Sequence, residues 1–369
     1  MTFNKKAIKI TAIVLACAIF ITASVFAFMG IARAVKIGNI PEVVYEGEKL
    51  NVILMIGDGM GPNHLKAAEA RYGELFMKSA PVQGELTTYS RYLFGATDSA
   101  AAATALATGV KTDNGNVGQY LGKEKQSTTE LAISLGMSTA ILATEGVDGA
   151  TPAGFSAHTS TRNDLDGILD DQLVSGVDVF FGSNIERYAS LSEKIEKAGY
   201  SFFDSTSNLD MSKEKVFASF EEIALEDGGS TKPTLADLAI KALDKISLNE
   251  KGFFMMIEES HIDKCSHNND LDGALSHVKA YDNAIKAVVD YALNLGNTIV
   301  IVTADHETGG LQYNGETSAQ MSDSMYTLTH HSTVNVPYFV FGNIDYEFAK
   351  VMDNTQIARL CQAVISASV

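Results

Sequence analysis

Asp263 and His267 stand four residues apart in FFMMIEESHIDKCSH (253–267), a spacing that puts both side chains on one face of a helix and within reach of one metal ion. Glu258 lies five residues earlier, where the apolar run FFMMI ends. Asp58 follows a second such run, NVILMI, and the adjacent pair Asp305 and His306 follows a third, TIVIV. His331 arrives from the loop before Val336 and Pro337. Taken singly, a strand-end aspartate usually caps the next helix, and a histidine is usually a hydrogen-bonded structural residue. Together, four carboxylates and three imidazoles converge if these run ends share one edge of a sheet. Imidazole with carboxylate suits zinc, whereas an all-oxygen set such as Asp58, Glu258 and a threonine hydroxyl suits magnesium.

A nucleophile is available in TDSAAAATA (97–105). Ser99 opens a helix of small residues, where free N–H groups and the positive dipole end favour an alkoxide and a bound phosphate. No Ser-His-Asp triad is evident, so its activation would fall to a bound cation. Transfer of a phosphoryl group also calls for a planar cation on the equatorial oxygens, and Arg162 in AHTSTR (157–162) is the candidate.

The elements that must hold these residues read as alternating strands and helices. Short apolar runs at Asn51–Ile56, Thr139–Ala143, Val177–Phe181, Phe253–Ile257, Thr298–Val302 and Tyr338–Phe341 predict strands buried on both faces. Between them, Ser99–Ala107, Thr128–Leu135, Ile185–Ala198, Leu235–Ile246 and Leu271–Leu293 carry helical patterns. The alternation predicts an α/β three-layer sandwich on a mostly parallel central sheet, with its chemistry beyond the carboxyl ends of the strands.

Composition sets the class of partner. The first 34 residues hold four of the 28 basic residues and none of the 45 acidic ones, so the remainder carries a net charge of −21, which disfavours nucleic acid. Lys5, Lys6 and Lys9 precede an uncharged stretch from Ile10 to Ala32, long enough to span a bilayer, and Ala32 and Ala34 offer an AxA cleavage pattern. Residues 1–34 thus read as a cleaved signal peptide or an uncleaved signal anchor that sends the rest outside the cytoplasm, with 35–48 a short connector and 49–369 one catalytic domain. Of the three cysteines, Cys17 lies in the apolar stretch, and the spacing of Cys265 and Cys361 does not call for a disulfide.

These blocks resemble the alkaline phosphatase family. NVILMIGDGMG (51–61), TDSAAAATALATGVKTDNGNVG (97–118), ATPAGFSAHTSTR (150–162), FFMMIEESHIDKCSH (253–267), TIVIVTADHETGG (298–310) and HSTVNVP (331–337) match its motifs in order. The resemblance implies an exported phosphomonoesterase acting on small phosphate monoesters through a phosphoserine at Ser99, with Arg162 clamping phosphate. It further implies two zinc ions, one on Asp263, His267 and His331 and one on Asp58, Asp305 and His306. A magnesium would sit on Asp58, Thr151 and Glu258, and Lys264 matches a position that holds phosphate through water. Family members are commonly dimers, which makes a homodimer the expected assembly.

The chain departs from the family's pattern at Gly149, where an aspartate or histidine usually stands two residues before the threonine; Asp148 is one place earlier. The third metal is therefore expected to lack a partner that orients its waters. A phosphodiesterase would keep the metals, but such relatives often carry threonine as nucleophile, and Ser99 disfavours them. A non-catalytic metal- or phosphate-binding protein would be suggested by loss of Ser99 or Arg162, and both are present.

Overall fold

The computed structural model describes residues 50–91, 95–226, 228–342 and 347–367. The expected signal or anchor segment at 1–34 and the connector at 35–48 lie outside the described residues. Among those described, no helix is long and apolar enough to cross a membrane.

The main sheet has ten strands: β1 (Asn51–Gly57), β2 (Val82–Thr87), β3 (Ser138–Ala143), β4 (Val179–Gly182), β5 (Ser201–Phe203), β6 (Val216–Ser219), β7 (Phe253–Glu259), β8 (Thr298–Thr303), β9 (Val336–Phe341) and β10 (Val351–Asp353). Their order across the sheet is β10-β2-β9-β8-β1-β7-β3-β4-β6-β5. Only β9 runs against its neighbours, so the sheet is mixed but mostly parallel, with helices on both sides. The helices are α1 (Pro62–Tyr72), α2 (Ser99–Thr108), α3 (Thr128–Ser134), α4 (Ala150–Ser156), α5 (Leu165–Val174), α6 (Ile185–Ser190), α7 (Ser192–Lys197), α8 (Leu235–Ile246), α9 (His261–His267), α10 (Leu271–Leu295) and α11 (Asn354–Ala367). The expected α/β sandwich is the observed fold.

Burial on both faces explains the uninterrupted apolar strands: every residue of β1, β7 and β8 is buried. The strands the sequence did not announce are those with little periodicity to read. β2 buries only Leu86 and contains Gly84, while β5, β6 and β10 have four residues or fewer. The single helix expected at Ile185–Ala198 is two, α6 and α7, parted at Leu191, whose φ of −107° and ψ of 6° leave the helical range. Cys265 and Cys361 are free thiols.

Helix α2 is buried along its whole length. It packs against α4 at Gly154, where an added Cβ would stand 2.8 Å from the Cβ of Ala103 and 3.1 Å from the backbone nitrogen of Thr104. The helix that begins at Ser99 and the helix that carries Thr151 are thus fixed against each other by the missing side chain.

Candidate active site

Register brings the carboxyl ends of four adjacent strands level. Ile56 of β1 pairs with Thr303 of β8 and with Glu258 of β7, and Ala143 of β3 pairs with the same Glu258. Asp58, Asp305 and Glu258 therefore leave the sheet side by side, at the edge where open α/β sheets carry their ligands. Gly59, with φ of +76°, takes the chain away from Asp58 in a conformation that favours glycine. A Cβ there would lie 2.7 Å from the Cα of Asp263, so the glycine also admits the start of α9 to the site.

Asp263 and His267 lie on α9 as their spacing predicts, and His331 meets them from a two-residue strand, His331–Ser332, paired with Glu307–Thr308. Oδ1 of Asp263 is 3.4 Å from Nε2 of His267 and 3.5 Å from Nε2 of His331. Each imidazole donates its Nδ1 proton to a backbone carbonyl, His267 to Thr329 and His331 to Thr97, both at 2.8 Å. Their Nε2 atoms then carry lone pairs, yet stand 3.1 Å apart. Two lone pairs and a carboxylate oxygen turned on one point are a donor set that a cation fits.

The second group is deeper. One oxygen of Asp305 is pinned by the backbone N–H groups of Gly59 (3.1 Å) and His306 (2.8 Å), leaving Oδ2 buried with no hydrogen-bond partner, as is Oδ1 of Asp58. Nε2 of His306 faces both carboxylates, 3.6 Å from Asp58 and 3.2 Å from Asp305. It is also 3.2 Å from Oγ of Ser99. Burial and the neighbouring carboxylates, Asp305 foremost, push Asp58 well above the usual carboxylate range, and burial with the charge of Asp263 lifts Asp305 to about 7. Burial holds His306 far below the ordinary imidazole value. Such a cluster of acids keeps its charge only beside cations.

Ser99 is not the helix cap. Asp98 is, accepting from the backbone nitrogen of Ala101 at 3.0 Å and from that of Gly115. The Ser99 hydroxyl is thereby left to the site. Arg162 donates to the same Asp98 across 3.4 Å, a long bond that holds the guanidinium at the cap of α2 without locking it there.

At the third group, Glu258 is fully buried beside Thr151, and neither its two carboxylate oxygens nor the Thr151 hydroxyl has a hydrogen-bond partner. Burial, then the charge of Glu145, raises Glu258 well above its ordinary value. Asp148 does not serve here: it accepts from Nε of Arg187 at 2.6 Å and from the Tyr188 hydroxyl at 2.5 Å. The space opened by Gly149 is filled instead by Glu145, whose Oε1 lies 2.5 Å from where a Cβ on residue 149 would stand. Glu145 also forms an ion pair with Lys264, whose charge is favoured by that pairing although burial opposes it. A carboxylate from four residues upstream thus occupies the space that Gly149 leaves open.

All the residues singled out from the sequence thus meet at one sheet edge. The family model for alkaline phosphatase matches residues 49–182 and 186–325. The chain belongs to the alkaline phosphatase family. Two relatives from Bacillus subtilis, alkaline phosphatases 4 and 3, are 37% and 35% identical over 73% and 74% of this chain. The chain spans 64% and 66% of those relatives. The solved alkaline phosphatase of the Antarctic bacterium TAB5 superimposes with a TM-score of 0.73 at 26% identity, over 87% of this chain and 99% of that one. Variants of that protein with glutamate or aspartate in place of a histidine are described with magnesium in a site named M3.

Three contributors escaped the sequence reading, although Thr308 and Asp98 lie inside the blocks that carry the resemblance. Thr308 accepts from Nδ1 of His306 at 3.3 Å and donates to Asp263, tying the two groups together. Asp98 orients Arg162. Glu145 sits two residues past the end of β3, the same kind of position that drew attention to Asp58 and Glu258, and that was its available signal.

Proposed function

We propose that this chain is an exported, metal-dependent phosphomonoesterase that works through a phosphoserine on Ser99. The observation that carries the reading is the Ser99 hydroxyl, at the start of α2 and 3.2 Å from Nε2 of His306, among carboxylates left without hydrogen-bond partners.

Asp263, His267 and His331 would hold one zinc, Asp58, Asp305 and His306 a second, and Asp58, Thr151 and Glu258 a magnesium, with Glu145 as its further acid. Such ions would supply charge compensation for the entering and leaving oxygens and would lower the pKa of the Ser99 hydroxyl. The protein's own part is positioning. The N-terminal N–H groups of α2 and the guanidinium of Arg162, released from its long bond to Asp98, receive the phosphoryl oxygens. The bond from Ser99 Oγ to phosphorus forms as the ester P–O bond breaks, and the alcohol leaves with the proton that Ser99 gives up. Water then cleaves the phosphoserine, returning a proton to Oγ and releasing inorganic phosphate. Lys264, paired with Glu145, would face the phosphate through solvent.

Export follows from the three lysines ahead of the apolar run at 10–32, and residues 49–369 form the catalytic unit. Small phosphate monoesters suit a protein whose net charge of −21 outside the first 34 residues repels polyanions. Brief incubation with a radiolabelled monoester, followed by acid quench and peptide mapping, tests the reading. Label is expected on Ser99 in the wild type and none in Ser99→Ala, with turnover falling by at least about a thousandfold. Full activity in Ser99→Ala refutes it.

A further inference from the structure

Away from the catalytic cluster, a second group of metal-type donors gathers where β7, α9 and α10 meet. Glu259 ends β7, one residue after Glu258, and strand alternation sends its side chain to the opposite face of the sheet. There it meets His261, the first residue of α9, and His277 from the second turn of α10. Oε1 of Glu259 is 3.0 Å from Nδ1 of His277 and 3.6 Å from Nδ1 of His261, and the three donor atoms lie within 4.8 Å of one another.

The trio matches the catalytic one in spacing, though its rings are stacked at 18° rather than tilted at 49° and present Nδ1 rather than Nε2. Asp263 stands 3.4 and 3.5 Å from its two imidazoles, and the ring centroids of His267 and His331 are 5.0 Å apart, the same separation as those of His261 and His277. Donors about 2.1 Å from a tetrahedral zinc stand about 3.4 Å from each other. The close approach of His277 to Glu259 does not make a hydrogen bond: Nδ1 of His277 is buried with no such partner. Oε1 of Glu259 accepts from the backbone N–H of His261 at 2.9 Å and from the Thr144 hydroxyl at 3.3 Å, and the same hydroxyl stands 3.0 Å from Nδ1 of His261, a contact that an ion between the three side chains would replace. His261 is partly exposed, which leaves a path for an ion to enter and a place for a water as fourth ligand.

We propose that Glu259, His261 and His277 form a zinc site separate from the catalytic metals. Two imidazoles, one carboxylate and an open position select zinc over magnesium or calcium. Its ligands come from one strand and two helices, and it lies directly behind Glu258 and Asp263, so the ion braces the elements from which two catalytic ligands hang. The proposal does not depend on the chemistry assigned to Ser99.

Zinc per chain would be measured by elemental analysis on the full protein, equilibrated with zinc over a weak competing chelator, for wild type, His277→Gln and His261→Gln/His277→Gln. Glutamine keeps a donor facing Glu259 but is a poor zinc ligand. The variants are expected to hold one zinc fewer per chain than wild type while retaining hydrolysis of an aryl phosphate. Equal zinc in wild type and variants overturns the proposal. Anomalous diffraction at the zinc edge from wild-type crystals gives a reading that needs no variant: a peak between the three side chains supports the site, and no peak there with the catalytic cluster filled refutes it.

Discussion

Glu145 and Gly149 form a reciprocal pair, and exchanging their roles tests the third metal group directly. Glu145→Ala removes the acid beside Glu258 and Thr151, and loss of a group that orients a metal's ligands typically weakens binding by about 10 to 100-fold, or about 1.4 to 2.8 kcal/mol. Gly149→Asp, which would restore the family's usual acid, does not help in this chain. Its Cβ would stand 2.5 Å from Oε1 of Glu145, and its charge would add to the crowd that already raises Asp58 and Glu258. The single variant is expected to bind magnesium no more tightly than wild type. In Glu145→Ala/Gly149→Asp the clash is gone and the acid returns, so the double variant should recover most of the affinity lost in Glu145→Ala. The assay is calorimetric titration of magnesium into metal-stripped, zinc-reloaded protein. Tighter binding in Gly149→Asp alone, with Glu145→Ala indistinguishable from wild type, would refute the reasoning.

Two further outcomes follow from the packing and the charges. Gly154→Ala should lower stability by about 1 to 3 kcal/mol, since the new methyl group meets the α2 backbone rather than a yielding side chain, and it should lower kcat by moving Ser99 relative to Thr151; unchanged melting temperature and kcat would contradict this. His158 bonds Glu130 at 2.8 Å, and that partner raises its pKa to about 9. Because the folded value exceeds the ordinary 6.5, the pair stabilises fully below pH 6.5 and the contribution is lost as pH rises through 9. It amounts to about 1 kcal/mol once solvent screening of this part-exposed pair is allowed for. His158→Gln should flatten the fall in melting temperature across that window, and an unaltered slope would count against it.

The central strands were legible because burial on both faces writes an unbroken apolar run, and the metal-type residues were legible because they follow those runs. The peripheral strands β5, β6 and β10 are too short to show a period. What fills the space beside Gly149 was not legible, for a different reason. A glycine says only that a side chain is absent, and which neighbour fills the space depends on the turn after β3, where Ser183 donates its N–H to the carbonyl of Glu145 and Arg187 claims Asp148. Likewise the sequence does not say which of Asp98 and Ser99 caps α2, a role the structure gives to Asp98.

The order of the strands has a consequence for when the protein can acquire its ions. Strand β1 lies between β7 and β8, pairing Val52 with Phe254 and Asn51 with Thr298, so Asp58 waits for some two hundred residues of chain before it meets Asp263 or Asp305. Closure of so long a loop comes late in folding. A growing chain therefore presents scattered carboxylates with no preference among cations. Selectivity appears only once the last of these strands has docked, and metal uptake belongs to the finished chain, in whatever compartment that chain then occupies.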